Sequence, residues 1–374
     1  GKLNALELAE KFDMLGAHFS VGTDNDTIKL TLQTLSENFQ DALQLYCMVL
    51  QSPHLNETEF EREKRKISTR LVQLSDDPDY LANTSFEYLL LGKKNYYAYP
   101  VLGSVNNLDL INNSDVKDFY KKYFSPENTS LVVVGNWAEN ETQNLLQKYL
   151  GSWAKNNIPK TESIKQSENI GKIFIFDKKD SVQTEIRIGR ISSLRSEKNY
   201  YSKLLLNTIF GGQFTSRLNL NLREKHGYTY GVVSRFNYYK ETAFFYISTS
   251  VGIENTKNAL DQIFIELDKI NQSVKDTEIQ FAKSSIVKKY PMNFETFRQI
   301  SSNIVSKINF DLPDDFFENY INRINNVTKD QINIAVADNL IPDEMIIVLI
   351  GDKNKLMGQF KDYRNRELII KDYR

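Results

Sequence analysis

One cysteine, Cys47, occurs in 374 residues, so no disulfide can close within the chain. Cys47 lies in an apolar helical run (Leu45, Tyr46, Cys47, Met48, Val49, Leu50), where a thiol is expected to behave as a small buried hydrophobe. A nucleophilic cysteine needs an activating histidine close in space, and nothing in the sequence indicates one. Histidine is scarce too. His18, His54 and His226 are far apart and share no helix face, so they lack the spacing of a metal site. No run reaches the roughly 18 apolar residues of a membrane span, and no signal-peptide pattern is visible. Charge of neither sign prevails: 47 Lys and Arg stand against 48 Asp and Glu, a net charge of −1. Such a balance provides no field to gather nucleic acid or an anionic membrane.

Apolar residues are plentiful, at 41%, and include 22 Phe and 20 Tyr, enough to fill large cores. The length suits two domains better than one. The sequence also repeats itself. Val116–Gly135 and Ile332–Gly351 each read as an amphipathic helix, a proline turn, and an apolar run that ends at glycine. Pro126 and Pro342 are 216 positions apart, as are Gly135 and Gly351. The unbroken apolar runs predict strands buried on both faces. Upstream, Leu3–Val21 and Phe214–Val232 match at an offset of 211: a helix, a capping glycine (Gly16, Gly227), then a strand. The next strand and helix match at 217, with Ala42 against Ala259, so the second hairpin is about six residues longer.

Two copies of one unit follow, each a sheet covered by helices: an α+β chain of two homologous α/β sandwich domains. The first copy spans 1–155 and the second 172–374. Between them 156–171 is polar and reads as a linker. The second copy opens with strands at 172–177 and 183–189 and a helix from Tyr200 to Phe210 that ends at Gly211-Gly212. By the 211 offset Gly212 corresponds to Gly1. The first copy therefore lacks counterparts of these two strands and this helix, and the domain is expected to begin upstream of Gly1.

This plan resembles the pitrilysin/insulinase family of zinc metallopeptidases, the inverzincins, in its two-domain, processing-peptidase-like form. Three runs carry the resemblance: Asn4–Gly16; Phe60–Lys66 followed by Asp76-Asp77-Pro78; and Arg217–Tyr230. Active members bind zinc with H-x-x-E-H on the first helix of the first copy, and a further Glu some 75–80 residues later completes the ligands. In this chain the motif's helix would precede Gly1, so its absence carries no information. The distal Glu should fall near 69 or 70, where this chain has Thr69 and Arg70, and no Glu occurs from Lys64 to Phe86. A guanidinium has no lone pair to give a metal. The resemblance therefore implies a chain with no catalytic residue and no metal ligand of its own, with zinc in an active partner or an intact relative.

In the family's second domain an Arg and a Tyr seven residues apart are thought to hold backbone carbonyls of the substrate. The matching residues are Arg223 and Tyr230. Arginine is a rigid multiple donor and a tyrosine hydroxyl is a neutral donor of fixed reach. Without the resemblance, an Arg that covers a helix end and a Tyr packed in the core would serve as well. Gly211-Gly212 reads as a flexible cap, and Tyr238-Tyr239 with Phe244-Phe245-Tyr246 as an aromatic hairpin that packs in the core.

The resemblance implies a non-catalytic subunit that binds a peptide or small unfolded protein and completes the active site of a partner, either a zinc-bearing homologous chain or a second copy of itself. Two other readings stand beside it: an active zinc endopeptidase that lacks its start, and a structural scaffold subunit on the same fold. By analogy with bacterial relatives the expected location is the cell envelope or periplasm.

Overall fold

The computed structural model describes residues 3–136, 138–159 and 169–371. In chain order its elements are α1 (Ala5–Met14), β1 (His18–Thr23), β2 (Ile28–Gln33), α2 (Phe39–Gln51), α3 (Glu57–Leu74), α4 (Pro78–Leu91), α5 (Val105–Leu110), α6 (Asn113–Tyr123) and α7 (Glu139–Leu150). Then follow β3 (Ile173–Asp177), β4 (Gln183–Ser192), α8 (Tyr200–Phe210), α9 (Arg217–Asn219), β5 (Val232–Tyr238), β6 (Ala243–Gly252), α10 (Thr256–Gln272), α11 (Asp276–Lys289) and α12 (Phe297–Asn309). The chain closes with α13 (Tyr320–Asn326), α14 (Lys329–Asn339), β7 (Ile346–Gly351), α15 (Lys353–Phe360) and β8 (Leu368–Lys371). The architecture is mixed helix and sheet, and among the described residues no helix is long and apolar enough to cross a membrane. Most of the polar stretch read as a linker, 160–168 of 156–171, lies outside the described residues.

The repeat is visible in the elements. Helices α6 and α14 stand 216 residues apart at both ends, and Pro126 and Pro342 each open a one-turn 3-10 helix just after them. Gly16 and Gly227 both adopt positive φ, 57° and 65°, after their helices. Ala42 and Ala259, on α2 and α10, are both wholly buried. Each hairpin turns through four residues, 24–27 and 239–242, so the extra length of the second lies in its longer strands.

Among the described residues the first copy shows no counterpart of β3, β4 and α8. In the second copy the apolar run Ile346–Gly351 is β7, buried at every residue, with β4 on one side and β3 on the other. Its repeat mate, 131–134, was expected to be a strand buried on both faces. It forms none, and Leu131 and Val133 are 41% and 43% exposed. An apolar sequence becomes a strand only where neighbours take up its N–H and C=O groups. Among the described residues the first copy has a two-stranded sheet alone, β1 with β2.

The six-stranded sheet runs β5-β6-β4-β7-β3-β8, with β3 parallel to β7 and β8 and the remaining pairs antiparallel. Alternate residues feed two cores. Ile173, Ile175, Ile186, Ile188, Ile347 and Leu349 face the helical layer of α8, α10, α11 and α14. Phe174, Phe176, Ile346, Val348 and Ile350 face α4, through Ala82, Phe86, Leu89 and Leu90. A sheet covered on both faces demands the continuous apolar runs seen in the sequence.

The two compact units are not contiguous in sequence. One gathers Gly1–Val72, Val101–Glu162 and Phe294–Ile308; the other gathers Gln73–Pro100, Ser163–Asn293 and Asn309–Arg374. At the repeat offset of 217, α4 corresponds to 295–308, which is α12 within one or two residues. Each unit therefore contains the helix that the repeat assigns to the other copy. In the second unit α4 starts at Asp77, whose carboxylate accepts from the N–H groups of Asp79 and Tyr80, with Pro78 in the first turn. It is fixed to the sheet by Arg187 of β4, which is wholly buried. The guanidinium donates to Asp79 Oδ1, to Asn83 Oδ1 at 2.7 Å and to Glu185 Oε2 at 3.2 Å. Gly189, two residues on, leaves the space that Phe86 fills: a Cβ there would stand 2.8 Å from the Phe86 ring and 2.2 Å from the Phe245 carbonyl oxygen.

The aromatic hairpin packs in the core, as expected. Phe244 and Phe245 are buried, and Tyr239 stacks on Tyr97 at 4.6 Å. Cys47 is also buried, and burial pushes its thiol up to about 11. In the first unit the cores lie between α2 and the hairpin, where Phe19 and Leu32 meet Leu43, Tyr46 and Cys47. Replacement of Arg187 by Ala, which strips Asp79 and Glu185 of their common partner, should cost about 3–5 kcal/mol in chemical denaturation. Arg187→Met, which refills the volume, should cost less.

Candidate functional site

The sequence-predicted substrate residues stand at either end of one short connection in the second unit, between α9 and β5. Helix α8 ends in a turn in which the N–H groups of Gly211 and Gly212 both donate to the Asn207 carbonyl, at 3.0 and 2.7 Å. The pair was expected to cap the helix, and Gly211 is its C-cap. Neither glycine has positive φ. A Cβ on Gly211 would lie 2.5 Å from Ser234 Oγ and 2.8 Å from Ser234 N, and Ser234 N–H donates to the Gly211 carbonyl at 3.0 Å. Gly211 lets the helix end press against strand β5, and Gly212 packs against Asn207 of α8 itself.

After α9 the backbone widens into a π-helical stretch, Leu220–Lys225, in which His226 N–H donates to the Asn221 carbonyl at 3.1 Å. A π-turn is rare and is often found at functional sites. Gly227 ends it at positive φ, and Tyr228 N–H donates back to the Leu222 carbonyl at 2.9 Å. The strand expected from Tyr228 begins only at Val232. Residues 228–231 are held by side chains instead. The Asn219 carboxamide takes both backbone groups of Val232: its Nδ2 donates to the carbonyl at 2.7 Å and its Oδ1 accepts from the N–H at 3.1 Å. Thr229 Oγ1 and Thr249 Oγ1 both donate to the Gly231 carbonyl, at 2.8 and 3.0 Å, and Gly231 N–H returns a bond to Thr229 Oγ1 at 3.1 Å.

On this clamped backbone Tyr230 is 94% exposed. The alternative of a tyrosine packed in the core is therefore wrong for this residue. Arg223, on the π-turn, is half-buried. Its guanidinium carbon lies 4.3 Å over the Phe214 ring, and its Nε is 3.6 Å from Glu224 Oε1. Beneath it the buried Asn221 donates to Glu266 Oε1 at 2.6 Å, and Lys269 Nζ donates to the same oxygen at 2.8 Å. His226 stacks on Tyr228, with ring centres 5.2 Å apart.

Among the described residues of the first copy, the donors do not gather as a zinc site would require. Thr69 and Arg70 are exposed on α3, and the Thr69 hydroxyl donates to the Arg65 carbonyl one turn back. His18 is exposed on β1 and His54 in the loop after α2. Among the described residues no three His, Cys, Asp or Glu side chains gather as a metal site would require.

Residues 1–94 match the profile of the insulinase family (Peptidase family M16), and residues 111–286 match that of the Peptidase M16 inactive domain. The chain belongs to the insulinase family, peptidase family M16. Among its M16 relatives, an uncharacterized zinc protease of Rickettsia bellii is 28% identical across 75% of this chain and 68% of its own length. The non-peptidase homolog YmxG of Helicobacter pylori is 22% identical across 95% of this chain and 82% of its own. A crystal structure of a peptidase M16 inactive domain from Pseudomonas fluorescens shares the fold, with TM-score 0.86 at 22% identity, over 94% of this chain and 84% of that one. The M16 family thus includes relatives named as peptidases and as non-peptidases, and residues 111–286 are of the inactive-domain type.

Sequence reading missed Asn219 and Thr249, which set the backbone of this M16 site. The alternation Leu218-Asn219-Leu220-Asn221-Leu222 was the available signal. In a helix it turns two asparagines inward, and a buried carboxamide must find partners. Sequence reading also missed Lys203 of α8, which is wholly buried. It donates to the Ser193 carbonyl and hydroxyl at 2.7 and 2.9 Å, beside the Tyr238 ring. Burial lowers its ammonium to about 8 from 10.5, against an opposing pull from Glu197. Between those two values the folded state binds fewer protons than the unfolded one, so stability rises with pH across the window and the cost of burial is full below about 8. The stability of Lys203→Met relative to wild type should therefore be greatest near neutrality and decline as pH climbs towards 10.5 in parallel denaturant titrations. Gly211→Ala should cost about 1–3 kcal/mol in thermal unfolding, because the Ser234 backbone cannot move aside.

Proposed function

We propose that this chain is a non-catalytic M16 subunit that grips an extended peptide through Arg223 and Tyr230 while a zinc-bearing homologous chain, or a second copy of itself, faces it and supplies the chemistry. The observation that carries this reading is Tyr230: a nearly fully exposed phenol on a backbone fixed by five side-chain hydrogen bonds. An exposed aromatic gains nothing for the fold, and a clamped backbone beneath it keeps the hydroxyl at fixed reach for a carbonyl oxygen. Arg223 adds a cationic donor for charge that builds on the same oxygens. Thr69 and Arg70 at the place of the distal zinc ligand support a role without a metal of its own, as does the inactive-domain profile.

The chain's own residues would bind and orient; they would not activate water. The test is zinc content and peptide cleavage for the purified chain, with and without the homologous chain encoded beside it. Cleavage in the mixture alone, with no zinc in this chain, is the expected result. Stoichiometric zinc with cleavage by this chain alone would establish an active M16 endopeptidase. In the mixture, Arg223→Ala should lower turnover about a hundredfold without a change in either chain's unfolding temperature; undiminished cleavage would remove Arg223 from substrate contact.

A further inference from the structure

We infer that Phe214 is a positioning residue: its ring, clamped by the Gly211-Gly212 turn, holds the Arg223 guanidinium in one plane so that the terminal amino groups face a bound peptide. The inference rests on the proposed peptide grip and names a residue that the grip itself does not require.

Phe214 has no place in either core of the second unit and is 59% exposed. Its neighbour on the other side of the turn, Phe210, is fully buried. Among the described residues its ring contact is with Arg223, at 4.3 Å. This is the separation of a guanidinium over an aromatic face, held by the ring quadrupole. Glu224 Oε1, 3.6 Å from Arg223 Nε, occupies the stem-side edge of the same group. With one face on Phe214 and one edge on Glu224, the terminal amino pair is left as the donor edge, and no side-chain hydrogen bond within the described residues uses it.

The direction matters because guanidinium N–H groups donate in their own plane and weaken steeply off it. A free arginine samples many rotamers, and its ordering opposes binding. A ring that holds the plane beforehand removes part of that cost. Phe214 in turn is held by its turn. Gly212 packs so closely that a Cβ would meet Asn207 Nδ2 at 2.6 Å and the Asn207 carbonyl oxygen at 2.8 Å, and Asn219 Nδ2 donates to the Gln213 carbonyl at 3.2 Å.

The test is the affinity of the full chain for a short, unstructured, fluorescein-labelled peptide, read by anisotropy for wild type, Phe214→Ala, Arg223→Ala, the double variant and Phe214→Tyr. Phe214→Ala should weaken binding about 3- to 10-fold, the double variant should match Arg223→Ala alone, and Phe214→Tyr should bind as wild type. Unfolding temperatures should be unchanged, since the ring is outside the cores. If Arg223→Ala weakens binding while Phe214→Ala does not, or if the two losses multiply in the double variant, Phe214 does not act through Arg223. If wild type and Arg223→Ala do not differ, the peptide grip is itself overturned, and this inference with it.

Discussion

The guanidinium of Arg187 sits in the middle of a six-stranded sheet, out of contact with water, and every carboxylate and amide that satisfies it lies on α4 or on its own strand. A buried cation without partners would cost more than any single apolar contact could return. The sheet therefore cannot close without α4, and α4 cannot dock in another register, because Asp79 and Asn83 must both reach the same group. Around this fixed point the apolar face follows: Phe86 enters the space at Gly189, and Tyr97 stacks on Tyr239. Glu87 lies in the same layer, where burial pushes its carboxyl up to about 7 although the Tyr239 hydroxyl donates to it at 3.1 Å. Helix and sheet are matched in polar as well as apolar terms, which is what fixes a single arrangement.

The site depends on the same kind of matching at smaller scale. Asn219 behaves as a one-residue strand partner to Val232, and Thr229 and Thr249 hold the Gly231 carbonyl from two sides. They replace the ladder bonds that 228–231 lacks and so leave the segment ordered without being part of the sheet. Tyr230 can then be exposed on an ordered backbone. Arg223 has neighbours of another kind, with its guanidinium over an aromatic ring and its Nε near a carboxylate.

Much of this was legible in the sequence because duplication prints the same local instructions twice. The prolines that open turns after α6 and α14, the glycines at positive φ after α1 and the π-turn, and the alanines under α2 and α10 are local requirements, and they recur at fixed offsets. What depended on partners was not legible. The run 131–134 carries the same apolar pattern as β7, yet a strand is a relation between chains of hydrogen bonds, and the sequence of one strand does not state whether neighbours are present. The exchange of α4 and α12 was equally hidden, since an amphipathic helix reads the same whichever sheet it covers. Arg223 and Tyr230 came from a resemblance. Phe214 beside them was passed over, because an exposed phenylalanine has no signature in sequence.

The traded helices bear on how such a chain can change over generations. Duplication of a self-sufficient domain ordinarily yields two parts that can later be separated, shuffled or lost. In this chain a gene break between the copies would leave the second half with Phe174, Phe176, Phe244, Ile346 and Val348 bare on one side of its sheet, because their cover is encoded before the break. The first half would likewise lose a helix encoded near residue 300. With the helices exchanged, the two halves are bound together as a single heritable unit.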